Sequence, residues 1–247
     1  MTTLLLHGFT GSPASFDRLV LPRHERVLRP ALVGHASNTS VASGFREEVG
    51  KLAAYIRAED AGELHVIGYS LGARLALGLA LEAPELVRRL TMIGGSAGID
   101  DPEQRHARAV ADDSMAALLR CQGIPAFLER WLAQPALSGQ HALPAPLRAD
   151  KFVERNSHDP DTLAIALAAL SKGRMPSYWP RLGELAVPTT LIVGDRDVTF
   201  LAEAHAMAER IRDAKVIVIE GAGHDVILEK PTELSAVLFP PEAHAAS

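Results

Sequence analysis

The chain has 247 residues, 47% of them apolar, and a formal net charge of −5. That length suits one large α/β domain with an insertion. The mild negative charge argues against nucleic-acid and membrane-surface partners. No apolar run is long enough to span a bilayer. The single Cys121 allows no internal disulfide, has no metal-ligand spacing around it, and is expected as a small apolar residue in a helical segment. Met1-Thr2-Thr3 runs directly into Leu4-Leu5-Leu6, with no basic region or cleavage site, which predicts a cytoplasmic protein. Composition leaves open whether the protein is a monomer or a homo-oligomer. Basic residues are nearly all Arg, so an Arg needs a positional argument before it is given a role.

In chain order, Thr3–His7 is predicted as a strand, followed by the Gly-rich loop His7-Gly8-Phe9-Thr10-Gly11-Ser12. Pro13–Leu21 is expected as a short helix, with Ser12 as N-cap and Pro13 at its first position. Arg26–Pro30 reads as a short strand and Ala31–Ser43 as a polar loop. Phe45, Val49, Leu52, Ala53 and Ile56 recur at helical spacing and predict an amphipathic helix over Gly44–Glu59. Leu64–Ile67 is a buried-type strand, Ala73–Leu81 an Ala/Leu-rich helix, and Leu90–Ile93 a further strand. From Ala97 to Pro180 there is no strand pattern, only helical segments: Asp101–Ser114, Ile124–Ala133, Leu147–Asn156 and Asp161–Leu170. Alternation resumes with strand Thr189–Val193, helix Phe200–Arg212, strand Lys215–Ile219 and a last helix including Thr232–Leu238. The tail Pro240–Ser247 is expected to fray. Strands alternating with helices imply a mostly parallel sheet with helices on both faces. Residues 1–96 and 181–247 would form the core, and 97–180 a helical lid above the carboxyl edge of the sheet.

The chemistry centres on Gly68-Tyr69-Ser70-Leu71-Gly72, a Gly-x-Ser-x-Gly between a strand and a helix. That is the context of a nucleophile elbow: glycines let strand and helix close around a strained Ser and lift its hydroxyl to the sheet edge. Such a hydroxyl needs a base. His224, on the Gly221-Ala222-Gly223 turn after the last strand, is the candidate, since imidazole accepts a proton near pH 7. The orienting carboxylate is Asp195 or Asp197. Asp197 is preferred for its spacing after the strand, and Asp195 is read as a turn residue. Asp225 is read as a helix N-cap, and His7 as a buried residue that organises its loop. The backbone N–H groups of Phe9 and Leu71 are the expected oxyanion hole. Arg74, one turn after Ser70 on an otherwise apolar helix, is costly to bury unless an anion meets it; a structural ion pair is the alternative.

The order Ser, Asp, His across nearly the whole chain resembles the α/β-hydrolase superfamily. Gly-Tyr-Ser-Leu-Gly-x-Arg at the elbow, Asp-x-Glu-Gln-Arg-x-x-Arg from Asp101 to Arg108, Phe127-Leu128-Glu129-Arg130-Trp131 with Gln134-Pro135, and Arg155-Asn156-Ser157 followed by Thr162-Leu163 resemble one branch in particular. That branch is the 2-succinyl-6-hydroxy-2,4-cyclohexadiene-1-carboxylate synthases of menaquinone biosynthesis. The resemblance implies a lyase that eliminates pyruvate from 2-succinyl-5-enolpyruvyl-6-hydroxy-3-cyclohexene-1-carboxylate, with the triad as base and no cofactor or metal. It adds Tyr69, Arg74, Arg108, Trp131 and Arg155 as binding residues for a small polyanionic carboxylate, which Arg suits through bidentate contacts. The alternative is a serine carboxylic-ester or C–C hydrolase acting on a small anionic substrate. Two departures from the family pattern stand out. The chain begins almost at the first central strand, so the usual N-terminal strand pair is shortened or missing, and Leu32-Val33-Gly34-His35-Ala36-Ser37 replaces the usual Pro-Gly-His-Gly-x-Ser.

Overall fold

A computed structural model describes residues 2–21 and 26–240. Six strands form one sheet in the order β2-β1-β3-β4-β5-β6. They are β1 (Thr2–Leu6), β2 (Arg26–Leu28), β3 (Leu64–Tyr69), β4 (Val87–Ile93), β5 (Thr189–Gly194) and β6 (Ala214–Ile219). Every neighbouring pair is parallel. A parallel sheet covered on both faces buries alternate residues in opposite directions. Accordingly Leu4, Leu6, Val66, Leu90, Met92, Leu191 and Val193 pack on one face. Leu5, Ile67, Tyr69, Ile93, Ile192 and Ile219 pack on the other.

Helices α1 (Phe45–Ala58), α2 (Leu71–Glu82) and α6 (Val198–Ala208) cover the first face, and the short α7 (Val226–Glu229) and α8 (Pro231–Leu238) cover the second. Within α2, Arg74 interrupts a run in which every other residue from Leu71 to Leu81 is buried. The chain winds from β1 outward to β2, then returns to place β3 on the other side of β1, with Leu6 in register with Gly68. Strand order therefore reverses between β1 and β3, and the carboxyl ends beside such a switch point are where open α/β sheets bind ligands.

Between β4 and β5 the described residues are helical: α3 (Pro102–Leu132), α4 (Ala145–Asn156) and α5 (Pro160–Ala169), with 3-10 turns at Pro135–Ala142 and Trp179–Glu184. This insertion has a core of its own, in which Leu119, Phe127 and Leu128 of α3 meet Leu163 and Leu167 of α5. The helices expected at Asp101–Ser114 and Ile124–Ala133 are both present within α3, separated at Gly123, whose φ 78 and ψ 177 are not helical, just before Pro125. The helix expected over Pro13–Leu21 is a single 3-10 turn, Pro13–Phe16, closed by a capping box between Ser12 and Ser15. Cys121 lies on α3 as expected, but it is exposed rather than packed as an apolar residue. Most of the tail expected to fray, residues 241–247, lies outside the described residues. No helix among the described residues is long and apolar enough to cross a membrane.

Candidate active site

Ser70 sits between β3 and α2 at φ 52, ψ −106, a left-handed conformation that a non-glycine residue adopts only under strain. Its neighbours permit the turn. A Cβ on Gly68 would come 2.3 Å from the carbonyl oxygen of Gly72, and one on Gly72 would come 2.0 Å from that of Leu6. Only glycine lets strand, turn and helix approach so closely. The Ser70 amide donates to the Ile93 carbonyl at 2.9 Å, which ties the elbow to β4.

Three side chains from three separate loops meet here. Ser70 Oγ lies 3.0 Å from His224 Nε2, and His224 Nδ1 lies 2.6 Å from Asp197 Oδ2. With Nδ1–H donating to the carboxylate, Nε2 is left as acceptor toward the serine hydroxyl, the tautomer a general base requires. Asp197 and His224 are both buried. Phe200 covers the imidazole, with ring centroids 4.3 Å apart. Asp195 plays the turn role expected of it, since Oδ1 accepts from the Gly221 amide at 2.8 Å. Asp225 caps α7 through the Leu228 amide, as expected, and also accepts from Gln140 Nε2 at 3.2 Å.

The Gly-rich loop after β1 runs alongside. His7 donates from Nδ1 to the Gly8 carbonyl at 2.9 Å and accepts at Nε2 from the Leu32 amide at 3.0 Å, so it fixes its loop. Burial lowers its pKa to about 4, and the hydrogen bond to Gly8 only partly offsets this. His35 is buried too and packs edge-on against His7 and Phe9. Phe9, Ser70 and Leu71 border one small cavity. As the first residue of α2, Leu71 has an N–H with no partner inside its own helix. Phe9 and Leu71, the residues expected to supply the oxyanion hole, thus border a cavity that Ser70 also borders.

Two neighbouring chambers border Ser70. The larger, about 150 Å³, is bordered by Phe9, Tyr69, Arg108, Trp131, Arg155 and His224. The smaller, about 70 Å³, is bordered by Arg74, Arg108 and Lys172. Arg108 and Ser70 border both, so each of the three arginines lines a chamber that Ser70 also lines. A wider open cleft of about 840 Å³ between α1, α3 and α5 holds none of the three hydrogen-bonded residues, so chemistry rather than size selects the site.

The three arginines differ in their neutralisation. Arg74 donates from Nη1 to the Leu170 carbonyl at 2.7 Å, and no carboxylate among the described residues lies within ion-pair distance of it. Burial and the nearby Arg108 lower its pKa to about 10, against the opposing pull of Asp112 and Glu203. Arg108 is paired through Nε with Asp112 at 2.8 Å. Buried Arg155 donates to Gln140 Oε1 at 2.9 Å and lies 3.9 Å from Asp225. Trp131 stacks on Phe127 and also borders both chambers, so it is a core aromatic and a cavity wall at once. Burial and Asp225 push the Tyr69 hydroxyl well above its usual range, so it stays neutral.

Asp112, Gln140, Lys172 and Phe200 were not singled out from the sequence. Asp112 had a legible signal, four residues after Arg108 on one helix. Gln140 and Phe200 had none, because their partners are distant in the chain.

The profile of the Alpha/beta hydrolase family matches residues 3–237. A 2-succinyl-6-hydroxy-2,4-cyclohexadiene-1-carboxylate synthase of Salmonella heidelberg (strain SL476) is 28% identical over 230 residues, 92% of this chain and 88% of that protein. A Bacillus subtilis (strain 168) protein provisionally given the same name is 30% identical over 232 residues, covering 92% and 84%. The solved structure of MenH from S. aureus superposes with a TM-score of 0.90 at 27% identity, covering 96% of this chain and 91% of that one.

Proposed function

Since the chain belongs to the alpha/beta hydrolase family, we propose that it is the lyase that eliminates pyruvate from 2-succinyl-5-enolpyruvyl-6-hydroxy-3-cyclohexene-1-carboxylate, a step of menaquinone biosynthesis in the cytoplasm. Ser70, His224 and Asp197 act together as the base. The proton at C2, next to the succinyl ketone, passes to Ser70 as His224 Nε2 accepts the hydroxyl proton. The C–H electrons form C2=C3, the ring double bond moves to C4=C5, and the C5–O bond breaks. Enolpyruvate leaves and is protonated to pyruvate. Charge builds on the succinyl ketone oxygen, where the N–H groups of Phe9 and Leu71 receive it. Asp197 holds the imidazole in its tautomer and stabilises the imidazolium.

The observation that carries this reading is Arg74. A guanidinium with no carboxylate partner among the described residues, on an apolar helix one turn from the base, is unfavourable in the empty protein and favourable once an anion arrives. Arg108 and Arg155, each already beside a carboxylate, border the same chamber and add donors for a substrate with several carboxylates. The test is pyruvate release from the enolpyruvyl substrate, followed with lactate dehydrogenase. No release from well-folded protein rejects the reading.

The strained elbow favours a second reading. A serine raised in this way can also attack an acyl carbon, so a hydrolase of small anionic esters shares the geometry. Fast turnover of p-nitrophenyl esters with a trapped acyl group on Ser70, and no pyruvate release, would favour it.

A further inference from the structure

The segment Glu154-Arg155-Asn156-Ser157-His158 closes α4, and both ends of it grip the loop that follows β1. Glu154 Oε1 accepts from Ser12 Oγ at 2.5 Å and from Ser15 Oγ at 3.4 Å. His158, only 4% exposed, donates from Nε2 to the Thr10 carbonyl at 3.0 Å and accepts at Nδ1 from the Ala36 amide at 2.9 Å. Both ring nitrogens are therefore used, one as donor and one as acceptor, which fixes a single neutral tautomer.

The two backbone groups held by His158 belong to strained residues. Thr10 stands at φ 62 and Ala36 at φ 48, two of the four non-glycine residues with positive φ among those described. Left-handed residues persist only where their surroundings hold them. Thr10 directly follows Phe9, and the face of the cluster is completed by His35, whose ring packs edge-on against both Phe9 and His158. Arg155, which borders the cavity, lies between the two gripping residues.

We propose that His158 is a positioning residue: through the Thr10 carbonyl it sets the direction of the Phe9 N–H, so that anion recognition by Arg155 and oxyanion stabilisation by Phe9 belong to one rigid unit spanning the insertion and the sheet. This rests on the reading of Phe9 N–H as an oxyanion donor given above. The insertion then does more than cover the cavity, because its docked state completes the geometry around the reacting oxygen.

Amide side chains separate the two bonds of His158. The terminal nitrogen of Gln reaches about as far as Nε2 and keeps the donation to Thr10, whereas the oxygen of the shorter Asn stands in for Nδ1 and keeps only the Ala36 contact. His158→Gln is expected to hold kcat within about threefold of wild type. His158→Asn and His158→Phe should lose about 10- to 100-fold in kcat with KM changed less than about threefold, as for an interaction made in the transition state. Hydrogen exchange on the ligand-free protein supplies a readout that needs no substrate: amides of residues 9–12 should lose protection in His158→Asn and keep it in His158→Gln. Unchanged exchange in His158→Asn, or equal loss of kcat or of fold in the Gln and Asn variants, overturns the proposal. If wild-type protein releases no pyruvate, the lyase reading fails on that result, while the exchange comparison still decides the role of His158.

Discussion

Gly94 lies directly against His224: a Cβ at this position would come 2.9 Å from Cε1 of the imidazole. Gly94 also holds φ 56, at the turn where the chain leaves β4. Gly94→Ala is therefore expected to push the ring away from Ser70 and Asp197. A displacement of about 1 Å can cost about 100-fold in rate. The check is kcat at pH 8 beside a thermal melt. A wild-type rate in folded Gly94→Ala would show that the imidazole has room to spare.

Arg74→Ala removes a cation that has no carboxylate partner among the described residues. For an anionic substrate, the expected loss in kcat/KM is two decades or more, on the order of 3 kcal/mol for a charge-assisted bidentate contact. The same variant should be at least as stable as wild type without ligand, because a partly buried, poorly compensated charge has gone. Melting curves with and without a polycarboxylate such as citrate test both halves: wild type should gain stability from the anion and Arg74→Ala should gain less. Equal activity in the two proteins would make Arg74 structural.

Asp112 accepts from both Arg108 Nε and Ser171 Oγ, the latter at 2.5 Å. Asp112→Asn weakens the charge-assisted bond that aims Arg108, a loss of about 1.5 kcal/mol. KM for the anionic substrate should rise by about tenfold, with a smaller effect on kcat. A change confined to kcat would contradict this division of roles.

Acid should destabilise the fold through its buried histidines. Burial lowers the pKa of His7 and of His65 from 6.5 to about 4 in the native state. In the unfolded chain both titrate near their ordinary value, so between pH 6.5 and 4 the unfolded state binds more protons. Their contribution is thus fully present above pH 6.5 and is lost as pH falls toward 4, by about 3 kcal/mol per residue across the window. Urea midpoints should fall between pH 7.5 and 5, and His65→Gln should flatten the slope by up to one proton. A midpoint that holds steady or rises on acidification would refute the assignment.

Much of this was legible in the sequence because it is local. The strand-Ser-helix elbow, the apolar strands and the turns carrying Asp197 and His224 are each written in a short stretch, and their chain order matches a fold whose topology brings them together. What stayed hidden depends on meetings between distant residues. Gln140 joins Arg155 to Asp225, 85 residues further on, and nothing around Gln140 marks it. His158 reaches Thr10 across 148 residues. The helical segments on either side of Gly123 are each legible locally, but their common packing against α5 is not. The cap made by Asp225 is local and legible, but its second bond, to Gln140, lies outside the range of local reasoning.

The insertion leaves the sheet after β4 and returns before β5. Ser70, Asp197 and His224 all stand on the scaffold it departs from, and Arg108, Trp131 and Arg155 all stand on the insertion itself. On the reading proposed above, the insertion carries only part of the substrate recognition, because Arg74 stays with the proton-transfer residues on the scaffold. Grafting a different helical segment between the same two strands would retune which molecules are admitted without disturbing how a proton is moved, provided the graft also restores a donor for Thr10.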